Sequence, residues 1–136
     1  WIALLLLIVA IVNAFKKWKS NDKYSAKDKV LNLLTMISLH TQALLGLILY
    51  FAGDMGVKQF KYMSDNATSR FFAIEHIIMM LLAVVLITIG KKRAEQAKKD
   101  AGKHRKIVIW FAIALLIILA AIPWPFLDKF AGSGYM

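Results

Sequence analysis

The chain has 136 residues, 60% of them hydrophobic, a mean hydropathy of +0.60, a formal charge of +10 and no cysteine. Soluble domains are roughly 45–50% apolar, so this composition points to a membrane protein. The missing cysteines exclude disulfides, thiolate metal sites, iron–sulfur clusters and covalently attached c-type haem.

The charge is unevenly spread. Six basic residues lie between Lys16 and Lys29 and eight between Lys91 and Lys106, against three between Gly53 and Arg70 and one, Lys129, in the tail. Alternation of rich and poor loops is the positive-inside pattern of a polytopic membrane protein, not the footprint of a nucleic-acid partner. It places both basic loops in the cytoplasm and both termini outside, and attraction to anionic lipid heads accounts for the charge. Four apolar runs separated by short polar loops predict one all-α domain. Its four transmembrane helices, at about 1–15, 29–52, 70–90 and 106–122, form an antiparallel bundle.

The first run, Trp1 to Phe15, reaches only about 22 Å, short of the roughly 30 Å hydrocarbon thickness, and opens on a tryptophan. Further residues upstream of Trp1 are expected. Asn13 reads as a helix-end hydrogen bonder. The stretch KKWKSNDKYSAKDK reads as a headgroup-level loop, with Trp18 and Tyr24 as interface anchors. In the second helix Asn32, Thr35, Leu39, Gln42, Gly46 and Leu49 recur at intervals of three and four, the pattern of a helix–helix contact. His40 lies on another face, with Leu33, Met36, Ala43 and Leu47. The outer loop GDMGVKQFKYMSDNATSR has room for a short surface helix, and Asp65 to Ser69 offer N-caps for the third helix.

That helix, RFFAIEHIIMMLLAVVLITIG, sets Glu75 and His76 side by side in its first third. Charges deep in lipid cost roughly 2.5 kcal/mol or more each, so such residues face a partner, a cavity or a cofactor. The loop KKRAEQAKKDAGKHRK follows, where His104 reads as a solvated or lipid-facing residue. The fourth helix is apolar, without site chemistry, and ends at Pro123-Trp124-Pro125-Phe126.

By helical rise, His40 stands about 16 Å and His76 about 21 Å above the inner surface. On antiparallel neighbours the two imidazoles can share a level, as the axial ligands of one haem iron require. Ala73, His76, Met80, Ala83 and Gly90 fall near one face, which would let a flat ring approach, and Phe72 sits where it can pack on the ring edge. The competing reading is a pair of buried histidines hydrogen-bonded across a helix interface. Zinc or di-iron sites want more ligands than the chain places together. Glu75 suits a hydrogen bond to a histidine, a pair with an arginine, proton handling near a quinol, or an interfacial carboxylate. Arg70 suits a snorkelling anchor or a partner for a haem propionate. Met79 and Met80 read as core.

With LHTQALLGLILYF in helix two, the RF–EH stretch of helix three, KHRK and ILAAIPWPF, the whole chain resembles a family of small bacterial four-helix membrane proteins described as cytochrome b-like. The resemblance implies a b-type haem and electron transfer, with His40 and His76 as candidate ligands; in the cytoplasmic membrane, Glu75 and Arg70 would then tune the outer edge of the site. Members tend to carry a further histidine ahead of the Trp1 position, an alternative partner for His76. The protein is then an electron-transfer protein or subunit more than a stand-alone enzyme. Its expected partners are the bilayer, a quinol or respiratory-complex subunits, in a homo- or hetero-oligomer. The alternative is a cofactor-free accessory subunit of a larger respiratory or transport complex. A proton path past Glu75 and His76 would need a continuous polar route, which the apolar fourth helix does not offer.

Overall fold

The computed structural model describes residues 1–54, 56–62, 64, 65, 67–122 and 124, with Phe72 by its backbone alone. All regular structure among these residues is helical: α1 (Ile2–Ser20), α2 (Ala26–Ala52), a 3₁₀ segment (Val57–Tyr62), α3 (Ala67–Gln96) and α4 (Asp100–Ala121). Three of them, α2, α3 and α4, are long and apolar enough to cross a membrane. In α1 the apolar run passes into Lys16, Lys17 and Lys19 before the helix ends.

The helices outrun the apolar segments that predict them. α1 continues through Lys16–Ser20, α3 begins at Ala67 and runs on to Gln96, and α4 starts at Asp100. The expected basic loops are therefore mostly helix, and only residues 21–25 and 97–99 are not. Lysine, alanine, glutamate and glutamine are strong helix formers, so loss of hydrophobicity marks the edge of an apolar zone and not the end of a helix. Asn21, left-handed at φ 57°, closes α1, a conformation asparagine tolerates. The Ser25 N–H and hydroxyl both donate to the Asp28 carboxylate, at 2.8 and 3.0 Å, and open α2. The outer loop does contain a short helix, the 3₁₀ segment. Its Gln59 amide donates to the Asp54 carbonyl at 2.6 Å and accepts from the Ser69 hydroxyl at 2.8 Å, tying the loop to α3.

Contacts link α1 to α2, α2 to α3, α3 to α4 and α4 back to α1, most extensively between α3 and α4. The core is built from Leu7, Ala10 and Ala14 of α1, Ala83, Ile87 and Ala94 of α3, and Ile107, Phe111, Ala114 and Ile118 of α4. Small side chains let the backbones approach. At Gly90 the approach is closest: a Cβ there would lie 2.3 Å from Cβ of Trp110. α2 buries little beyond Asp28, Asn32, Thr35 and Leu39, and exposes Leu33, Leu34, Ile37, Leu44, Leu45, Ile48 and Leu49. An apolar exterior of this extent suits lipid or partner helices better than water.

Candidate site at the His76 hollows

The turn that delivers His76 is irregular. Residues Phe71–Glu75 form a π-helical turn within α3, closed by the His76 N–H bonding to the Phe71 carbonyl. Such turns insert a residue and re-aim the side chains that follow. Contacts from α2 and within α3 hold it. The Tyr50 hydroxyl of α2 donates to the Ala73 carbonyl at 2.6 Å, and the buried Phe71 ring lies 5.6 Å from the imidazole of His76.

His76 Nδ1 sits 2.7 Å from the carbonyl oxygen of Ala121 at the end of α4. A carbonyl only accepts, so Nδ1 carries the proton and Nε2 is left as the basic nitrogen. Metal-binding histidines are commonly oriented in this way. The ring borders two hollows. One of about 180 Å³ is lined by Trp1, Leu4, Leu39, Gln42, Met80 and Ile118 among others. The second, about 70 Å³, lies between α2 and α3 along Gln42, Gly46, Tyr50 and Met80. A groove between α1 and α2, lined by Trp1, Ile37, Thr41 and Leu45, also reaches Gln42.

Gly46 and Gln42 thus depart from the helix-contact reading of their stripe. Asn32, Thr35 and Leu39 are buried, whereas Gln42, Gly46 and Leu49 are exposed. A Cβ at Gly46 would meet nothing within 4 Å. One half of the stripe packs and the other half lines open space.

His40 is elsewhere. Its Nδ1 donates to the Met36 carbonyl at 2.7 Å, and Nε2 lies 3.3 Å from the Thr88 hydroxyl on the exposed seam between α2 and α3. Thr88 follows His76 by twelve residues, about 18 Å along the helix axis. His40 lines neither of the hollows that His76 borders, so the two imidazoles do not face one another across a common space. Arg70 and Glu75 do meet, Nε to Oε1 at 3.1 Å, because the wider π turn brings residues five apart to one side. Their pair is largely exposed and lines neither hollow. Met79 packs on Phe71, and Met80 borders both hollows. The Phe72 side chain, Lys129 and most of the Pro123–Phe126 turn lie outside the described residues.

His104 corrects the surface reading. It is 1% exposed, Nε2 lies 3.2 Å from the Asp22 carbonyl, and its ring packs on Tyr24. The signal was present in the sequence: His104, Ile107, Phe111, Ala114, Ile118 and Ala121 form the buried stripe of α4. Tyr24 is likewise drawn inward. Its hydroxyl accepts from Asn32 Nδ2 at 2.9 Å, and burial raises its pKa above the usual phenol value. Asn13, read as a helix-end bonder, donates to Asp28 Oδ1 at 2.8 Å beside Lys17, which donates to Oδ2 at 2.8 Å.

Among the described residues no three His, Asp or Glu converge as a metal site. The donor chemistry at the hollows fits a haem ligated from His76: an imidazole anchored through Nδ1 among mostly apolar lining residues. It does not fit a haem held between His76 and His40 in this arrangement. No protein-family model, no curated protein and no solved structure matches the chain.

Proposed function

We propose that this chain is a four-span membrane protein, an antiparallel bundle with its basic loops in the bacterial cytoplasm and both termini outside, that passes electrons through a b-type haem ligated by His76. One observation carries the reading: His76 borders two apolar hollows while a backbone carbonyl fixes its tautomer. When bound, haem supplies a one-electron couple. The chain's own part is to orient and enclose. The Ala121 carbonyl holds the imidazole, while Leu4, Leu39, Met80 and Ile118 keep water away from it.

A dithionite-reduced minus oxidised spectrum of full-length protein, expressed with haem, tests the reading. A b-type α band is expected, lost in His76→Ala and retained in His40→Ala. Loss in both variants would put His40 at the iron. A flat spectrum, or a band that survives His76→Ala, would remove the assignment.

The second reading is a cofactor-free accessory subunit, and the exposed apolar face of α2 favours it. On that reading the spectrum is flat, and substitutions such as Leu45→Asn release a partner subunit during purification.

A further inference from the structure

At the end of the molecule away from His76, two basic hollows adjoin, one where α3, the 97–99 connection and α4 meet and one on α4 itself. The first, about 310 Å³, is lined by Arg93, Gln96, Ala97, Lys98 and Lys106. The second, about 240 Å³, is lined by Gly102, Arg105, Lys106, Ile109 and Trp110. Lys106 is common to both, so one lysine lines both hollows.

The local packing makes this a built feature. Gly90 and Trp110 bring α3 and α4 into close contact directly beneath, and Ala94 and Ile107 are fully buried beside them. The Arg93 guanidinium lies 5.8 Å from the centroid of the Trp110 ring. A guanidinium that stacks by its face still presents its N–H groups at the edge. The nearby carboxylates are engaged elsewhere. The carboxylates of Glu95 and Asp28 pair with Lys91 and Lys17. Among the described residues none makes an ion pair with Arg93, Lys98, Arg105 or Lys106.

Below the charged rim the surface turns apolar along one helix face. Gly102, Arg105, Lys106, Ile109 and Trp110 occupy successive turns of α4, and the same side continues through exposed Ile113 and Leu116. A ligand for this surface carries two anionic groups a short distance apart and long hydrocarbon chains running down α4. One phosphate would fill one hollow. Two phosphates joined by a short linker would fill both and share Lys106.

We infer that the Arg93–Lys98–Arg105–Lys106 hollows form a binding site for a two-phosphate membrane lipid of the cardiolipin class. The inference rests on the membrane reading of the chain and is independent of the haem assignment. Basic pockets between helices at the cytoplasmic surface are suited to such headgroups. The shared lysine and the adjoining apolar face separate this site from the diffuse attraction of the other lysines.

The test uses full-length protein in phosphatidylcholine vesicles doped with cardiolipin, or with twice as many phosphatidylglycerol molecules so that headgroup charge is equal. Resistance to alkaline carbonate extraction is measured first, and release by the wash would overturn the membrane reading itself. Lipid retained on the protein is then counted by native mass spectrometry after gentle release into detergent. Cardiolipin retention should exceed that of phosphatidylglycerol, and Lys106→Gln or Arg93→Gln should each lower it by about fivefold, the effect of one basic residue near an anionic surface. Lys23→Gln, in the other basic segment, should leave it unchanged. Equal retention of the two lipids at equal charge, or equal losses in Lys23→Gln and Lys106→Gln, would overturn the site and leave only diffuse electrostatic attraction.

Discussion

Where α1 turns into α2, the Asp28 carboxylate receives four hydrogen bonds, from Asn13, Lys17 and the backbone and hydroxyl of Ser25. Asn32 reaches Tyr24, Thr35 donates to the Leu31 carbonyl, and His104 is sealed under Tyr24. Of the buried side-chain polar atoms described, only Asn32 Oδ1 lacks a partner. At the opposite end, Gln42 makes no hydrogen bond among the described residues yet touches three hollows, one of them between Gly46 and His76. The contrast separates two uses of polar residues in an apolar chain. A satisfied buried network specifies how helices meet, whereas polar groups beside unfilled apolar space can recognise something that enters it.

The largest expected effect falls on the closed end. Asp28→Ala would leave Asn13 and the half-buried Lys17 without their acceptor and remove the start signal of α2. A loss of about 2–3 kcal/mol is expected, below the full range for a buried pair because Lys17 reaches solvent. Unfolding in a graded detergent mixture would measure it. A change under about 0.5 kcal/mol would show that the network is ornamental.

The same substitution at two glycines should have opposite effects at the packed and the open positions. Gly90→Ala sets a methyl against Trp110 and should destabilise by roughly 1–3 kcal/mol, since α3 and α4 must separate. Gly46→Ala enters open space and should stabilise by roughly 0.5–1 kcal/mol through helix propensity. Equal costs at both positions would mean that the hollow beside Gly46 is closed in solution.

The smallest effect is a pH dependence confined to the closed end. Burial raises the Tyr24 pKa, so the folded state holds the phenol proton more tightly than the unfolded chain does. The associated stability is fully present below about pH 10, the unfolded phenol value, and is lost as pH rises through the folded value. In ultraviolet titration one phenolate should appear late, and Tyr24→Phe should abolish that late step.

Much of this architecture was legible in the residues. Apolar runs of bilayer length located α2, α3 and α4 but stopped six residues short of the end of α3 and of the start of α4, because hydrophobicity marks the apolar zone and not the helix end. The site was legible only in part. Glu75 and His76 stood out as polar residues in an apolar run, but the π turn at Phe71–Glu75 that pairs Arg70 with Glu75 has no periodic signal. Depth estimates set His40 and His76 near one level, yet the pairing of α2 with α3 brings His40 to Thr88. Register between two helices depends on side-chain fit along the whole interface, and a shift of four residues moves a ligand by about one helical turn.

Composition and period add up along the chain, so an all-helical, strongly apolar protein with its basic residues concentrated in two segments could be read from the residues alone. The burial of His104, the separate surroundings of His40 and His76, and the place of Lys106 between two basic hollows come from packing. Those outcomes depend on which helix faces meet and how closely, and residues far apart in the chain, such as Gly90 with Trp110 and His76 with Ala121, decide that together.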